Sequence, residues 1–317
     1  MTVYFAQRLI GLLPVLLVVS VVAFLTTALV RGDAAGVMLG QNATPERVAL
    51  VRKRFGLDKP LPVRYAKWMT QVVQGNLGRS VLNQQPVTSL IGSALKVTLE
   101  QLVLSMLMAT LIALPVGVVA AIRNGSWLDQ TLMGGVLIGT SVPTFWLGLM
   151  LTYLFAVRWH VLPPSGFVPF SEDPIQNLKY MILPTVALGI YLAGPLARFV
   201  RSSLIDTLHQ PYIVTARAKG LHERRVVRRH ALKNALIPTV TFAGLQVGAL
   251  IGGAIVTEVV FSLPGMGSLA LNGILNRDYP IIQGVVLTVA CGYVLINILV
   301  DIVYLLLDPR ISFKTSG

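Results

Sequence analysis

The chain has 317 residues, of which 54% are hydrophobic and only 12% charged, against roughly a quarter charged in a typical soluble domain. Its net charge of +13 invites a nucleic-acid role, but the basic residues lie between long apolar runs, where Lys and Arg set orientation and contact lipid. The single cysteine, Cys291, excludes an intrachain disulfide, and with four scattered histidines no Cys/His metal cluster and no cofactor site is expected.

Leu9 to Val30 is uncharged, with Arg8 before it and Arg31 after it. A signal peptide has a shorter apolar region, about 7–15 residues, followed by a small-x-small site. Residues 1–30 are therefore read as an uncleaved first membrane span. Residues 31–96 are polar and read as a folded extracytoplasmic loop. Within it, Thr44-Pro45-Glu46 is a helix start: a Thr cap, a first-turn proline and an acid at the positive dipole end. Gly56 is the expected stop. After Pro62 a second helix puts Tyr65, Trp68, Met69, Val72 and Val73 on one apolar face and ends at Gly75.

Further spans are expected at about Val97–Ile122, Thr131–Val157, Tyr180–Ala197, Ala235–Val260 and Ile281–Leu307. The third contains Ser141-Val142-Pro143-Thr144-Phe145-Trp146, where proline removes a backbone hydrogen bond and kinks the helix. The fold class is thus all-α integral membrane protein with six transmembrane helices, which puts both termini on one side. Outside the long first loop, 13 Lys/Arg fall on the side of the termini and 3 on the other. Long loops translocate largely regardless of charge, so this count makes the termini cytoplasmic. Residues 97–307 form a five-helix core with a cytoplasmic loop at 198–234, and 308–317 a cytoplasmic tail. Gly244, Gly248 and Gly252 recur every four residues in the fifth span, a spacing that serves either intrachain helix packing or a subunit interface.

Several chemistries are missing. The dipeptide Gly-Lys never occurs, so there is no GxxxxGK[ST] phosphate loop. Gly265 to Ala270 fits GxGxxA but follows a membrane helix rather than a strand, and reads as a turn. Gly139-Thr140-Ser141 offers a hydroxyl without a base at membrane depth. The acids expected within spans, Glu100, Glu258 and Asp301, make no midplane acid–base chain. A chain of this kind that moves a solute takes its energy from a cytoplasmic contact, not from a site of its own. The alternative is a self-sufficient carrier or channel.

The candidate contact is the basic stretch. From Arg198 to Lys233 it holds nine Lys/Arg against Asp206 and Glu223. Pro211 can start a short helix and Gly220 can end it in a left-handed turn. Beyond Gly220 a basic helix aligns Val227, Ala231 and Ala235 on one side, with Arg224, Arg225, Arg228 and Arg229 beside them, suited to a lipid surface.

Val214-Thr215-Ala216-Arg217-Ala218-Lys219-Gly220 resembles the EAA motif of bacterial ABC-importer permeases, closed by Leu236-Ile237-Pro238. TARAKGL followed by RHALKNALIP is similar to the peptide and nickel branch, as are GLDKPLPVRYAKW, GNLGRS, SVPTFW, TEVVFSLPGMG, RDYPIIQG and the final DPR. The likeness covers nearly the whole chain and is greatest to the first, B-type, permease of a dipeptide/oligopeptide system. It departs at Val214, where the motif has an acid, at Thr215, where it has alanine, at Gly32-Asp33-Ala34, which lacks a common proline, and at Asn76, where an acid is common. The loop departures bear on substrate rather than fold.

The resemblance implies a type I ABC-importer permease fold in a bacterial inner membrane, importing peptides, or alternatively nickel or glutathione. It implies as partners a second permease subunit in a heterodimer, one or two cytoplasmic ATPase subunits, an extracytoplasmic substrate-binding protein and membrane lipid. The coupling helix would comprise Tyr212, Val214, Thr215, Ala216, Arg217, Ala218, Lys219 and Gly220. Ala216 and Ala218 would permit close docking, while Arg217 and Lys219 would reach acids on the ATPase. Candidates for the translocation path are Ser141, Pro143, Phe145, Trp146, Gly248 and Thr257.

Overall fold

A computed structural model of the chain describes residues 2–28, 44–46, 49, 58–250 and 254–307. These residues are mostly helical, with no strand among them beyond an isolated bridge between Arg79 and Pro86. The chain divides into two compact units, Met1–Val97 with Pro264–Gly292, and Thr98–Leu263 with Tyr293–Gly317.

In the first unit, α1 (Thr2–Ala28) and α2 (Leu61–Val73) meet through the face expected for α2. Tyr65 and Trp68 lie 5.5 and 5.7 Å from the Phe24 ring, and the Ser20 and Tyr65 hydroxyls share a 2.7 Å hydrogen bond. Val73, placed on the same face by the periodicity, is exposed. Gly75 stops the helix at φ +78°. Pro45 and Glu46 are helical and Thr44 is not, as the capping signal requires. Gly56, Gly32-Asp33-Ala34 and the tail at 308–317 lie outside the described residues.

The rest of this unit uses the start of α3 (Val87–Ile122), α10 (Met266–Leu275) and the start of α11 (Tyr279–Leu307). Val87, Ile91, Ala94, Met266, Ile281 and Val285 form its core. Buried Asp278 accepts hydrogen bonds from the Ser80 hydroxyl at 2.5 Å and the Val81 N–H at 3.0 Å. That contact ties the GNLGRS and RDYPIIQG segments together.

The second unit is built around α6 (Pro174–Leu208), which packs against α4 (Trp127–Ser141), α5 (Thr144–Leu151), α8 (Leu232–Leu250) and α9 (Ile255–Val260). Asp173 caps α6 by accepting the Ile175 and Gln176 N–H groups, with Pro174 in the first turn. The helix that holds the expected fourth span is longer than that span, beginning at Pro174 and passing Ala197. The same helix continues through the charged residues to Leu208, because Val200 and Leu204 keep an apolar stripe facing the core.

The expected third span is not one kinked helix. The α4 and α5 helices meet at 93°, and a π-helical segment, Thr152–Arg158, follows α5. Val142 and Pro143 are both extended, at ψ 124° and 134°. Proline drives its predecessor out of the helical region, so two residues break the helix where one would bend it.

Among the described residues, three helices are long and apolar enough to cross a membrane: Val87–Ile122, Pro174–Leu208 and Tyr279–Val303 of α11. The bent α4–α5 pair makes a fourth if it is counted as one span. Gly244 and Gly248 admit α11: a Cβ on Gly244 would overlap Val300, and Gly248 faces Tyr293 and Ile296. Both glycines thus face α11 of their own chain, and Gly252 lies outside the described residues.

Candidate docking helix and membrane cavity

The helix α7 runs from Pro211 to Ala218, with Gln210 as its cap residue. Gly220, at φ +78°, closes it: the Gly220 N–H donates to Arg217 O at 2.9 Å and the Leu221 N–H to Ala216 O at 3.4 Å. These two bonds satisfy carbonyls that the helix end would otherwise leave open. Leu221 then packs on the cluster that contains Ala216, supplying the apolar contact of that turn.

One face of α7 is fixed to the body of the unit. Ile213 and Ala216 are buried with Ala121 of α3, Leu204 of α6, and Val226, Ala231 and Ala235 of the following segment. Ala216, one of the two small residues read as docking positions, thus points inward. Tyr212 accepts a hydrogen bond from Asn234 Nδ2 at 2.8 Å. Thr215 donates back to Pro211 O. The outward positions are Val214, Thr215, Ala218 and Lys219, with Val214 57% exposed.

Arg217 is engaged within the chain. Its Nη2 and Nε atoms lie 2.7 and 3.0 Å from the two Glu223 oxygens. The guanidinium holds the Glu223 carboxyl below its ordinary pKa, and the carboxylate raises that of Arg217. The sequence suggests a partner acid for Arg217, but the turn at Gly220 folds Glu223, six residues on, back onto it.

After Gly220 the chain re-enters helix at Glu223–Arg225, passes a π-helical Val226–Ala231, and continues as α8. Val227, Ala231 and Ala235 are all buried, as their alignment required, while Arg224, Arg225, Arg228 and Arg229 are exposed.

The path candidates fall in four places, the first two sharing Ser141, Pro143 and Phe145. Ser141, Pro143 and Phe145 line a cavity of about 500 Å³ at the α4–α5 break, together with Thr140, Leu188, Tyr191, Leu192, Gln246, Leu250 and Val256. Gln246 Nε2 is buried there without a hydrogen-bond partner. Trp146 lies on an outer groove that it shares with Leu137, Ile138 and Phe145. Gly248 faces Tyr293 and Ile296 of α11. Thr257 is buried, accepting from Gln101 Nε2 at 2.8 Å and donating to Ala254 O at 2.9 Å. Beside it, Glu258 is fully buried and accepts from the Thr98 hydroxyl at 2.6 Å. The sequence pointed to none of these buried polar contacts, because the partners lie on helices far apart in the chain. Among the described residues no group of His, Cys, Asp and Glu could hold a metal ion.

Two family profiles match the chain: "binding-protein-dependent transport system inner membrane component" over residues 113–313 and its N-terminal counterpart over residues 1–108. The "Probable peptide ABC transporter permease protein y4tP" of Sinorhizobium fredii is 40% identical over 313 residues, covering 99% of this chain and 100% of the relative. The "Glutathione transport system permease protein GsiC" of Salmonella paratyphi A is 41% identical over 311 residues, covering 98% and 99%. Among solved structures, the inward-facing MetNI methionine ABC transporter superposes with a TM-score of 0.58 at 21% identity, covering 69% of this chain and 96% of that one. That likeness concerns the fold.

Proposed function

Because the chain belongs to the family of binding-protein-dependent transport system inner membrane components, we infer that it is the peptide-importing permease subunit of an ABC transporter. It forms half of the path, paired with a second permease subunit. One or two ATPase subunits hydrolyse ATP on the cytoplasmic side, and a substrate-binding protein delivers cargo from the other. The chain crosses the membrane six times with both termini in the cytoplasm, and residues 31–96 form an extracytoplasmic loop.

One observation carries the mechanism: α7 has an inner face buried in its own unit and an outer face left open. Val214, Ala218 and Lys219 on that outer face fit a docking groove on an ATPase subunit. The inner residues Ile213 and Ala216 make α7 follow α3 and α6 rather than swing alone. A closed core transmits displacement because its interior is densely packed. The arginines at 224, 225, 228 and 229 sit at the level of lipid phosphates. Ser141, Pro143 and Phe145, at the cavity, are the path residues this reading favours.

Glutathione is the second reading of the cargo, favoured by the 41% identical permease from Salmonella paratyphi A. The test is uptake into proteoliposomes holding this chain, its second permease, the ATPases and the binding protein. Labelled dipeptides and glutathione compete in the same assay. ATP-dependent dipeptide uptake that excess glutathione leaves intact supports the peptide reading, and the reverse supports glutathione. Flux through liposomes holding this chain alone would point instead to a self-sufficient carrier.

A further inference from the structure

We propose that Arg201 and Asp129 form a clamp that makes α4 move with α6, so that displacement of α7 reaches the wall of the membrane cavity. The proposal rests on the docking role of α7 given above.

The clamp is a built site. Arg201 Nε donates to Asp129 Oδ1 and Nη2 to Asp129 Oδ2, both at 2.7 Å. Nη2 also donates to Asn124 Oδ1 at 2.8 Å. The Gly125 N–H donates to Asp129 Oδ2 at 2.9 Å, closing the turn between α3 and α4. The Asp129 side chain is 5% exposed and that of Arg201 28%. A forked guanidinium–carboxylate pair fixes orientation as well as distance, which a lone lysine contact does not. Removing Arg201 leaves the Asp129 charge buried, so the arrangement resists sliding.

Its position in the fold gives the function. Arg201 lies one turn before Leu204, which is buried against Ile213 and Ala216 of α7. Asp129 lies in the first turn of α4, whose far end carries Thr140 and Ser141 into the cavity. Between these ends the helices touch closely: a Cβ on Gly194 of α6 would overlap Thr140, and one on Gly139 of α4 would meet Ile190 at 3.2 Å. Held at the clamp and at Gly194, α4 cannot rotate or slip independently of α6. The route from α7 to the cavity is thus Ile213, Leu204, Arg201, Asp129 and Thr140. Arg201 and Asp129 are positioning residues and touch no cargo.

The test uses the complete transporter in proteoliposomes and reads cargo moved per ATP hydrolysed, along with ATPase subunits retained on purification. Asp129→Asn is expected to lower the cargo:ATP ratio about tenfold, within the range for residues on a coupled network, with ATPase subunits retained. Arg201→Lys is expected to lower it less, and the double variant to be no worse than Asp129→Asn, since both changes break one contact. An unchanged ratio in Asp129→Asn overturns the proposal. So does loss of assembly in both variants, which would make the pair a folding element. Where Asp129→Asn alone fails to assemble, Arg201→Lys decides, and a full ratio there overturns it. Failure of the docking reading is seen separately: Ala218→Glu would then retain the ATPase subunits.

Discussion

Arg217 and Glu223 form a two-pronged ion pair across the turn at Gly220, at 2.7 and 3.0 Å. It holds the end of α7 against the start of the basic helix, and it accounts for the one arginine of α7 without an external partner. Since the Glu223 carboxyl is held low, the pair's contribution is complete above the ordinary carboxylate range and is lost as pH falls through the lowered value. Half exposed, it contributes under about 1 kcal/mol. Hydrogen exchange of the α7 amides should be insensitive to pH, after correction for intrinsic rates, down to the carboxylate range, and should accelerate below it. Glu223→Gln should show the faster exchange throughout.

Gly220 is required for its backbone and not for space. Among the described residues nothing beyond its chain neighbours lies within 4 Å of a Cβ built there, yet φ is +78°. Gly220→Ala should therefore cost only the left-handed conformation, about 1–2 kcal/mol, with Gly220→Asn costing less. The converse site is Arg277, a non-glycine at φ +54°, where Arg277→Gly should be neutral or stabilising. Thermal unfolding of the detergent-solubilised chain measures all three.

Gly194 and Gly244 are the opposite case, since their φ values are ordinary and their space is taken. Alanine at Gly194 would overlap Thr140, and at Gly244 it would overlap Val300. Each should cost about 1–3 kcal/mol by forcing helices apart. Pairing Gly194→Ala with Thr140→Ser, which removes the overlapping methyl, should recover most of the loss. A pair with no recovery would place the strain elsewhere.

Ile213 is fully buried, and Ile213→Ala should destabilise the unit by about 2–5 kcal/mol. Val214→Ala, one residue on and exposed, should leave stability within about 0.5 kcal/mol. Comparing the two by thermal unfolding separates the inner face of α7 from its outer face.

Local chemistry was readable in the sequence. Gly75 and Gly220 sit at the positive φ that a terminating glycine supplies, Tyr65 and Trp68 face α1, and Val227, Ala231 and Ala235 share a buried side. What escaped depended on distant partners. Composition ended the fourth span at Ala197, but a helix stops where its backbone is broken, and nothing breaks it before Leu208. Pro143 announced a bend without its size, which Val142 doubles by going extended. Ala216 was visible as a small residue, but the side it faces is decided by Ile213 and Leu204. Asp129 and Arg201 are far apart in the chain and carry no local pattern linking them.

The central claim, that the outer face of α7 receives an ATPase subunit, is tested most directly by Ala218→Glu in the reconstituted transporter. Ala218 is exposed, so the substitution spares the core. The account predicts ATPase subunits lost on purification and ATP-driven uptake lowered at least about tenfold, equivalent to about 1.4 kcal/mol of docking energy. Full uptake with ATPase subunits retained would contradict it.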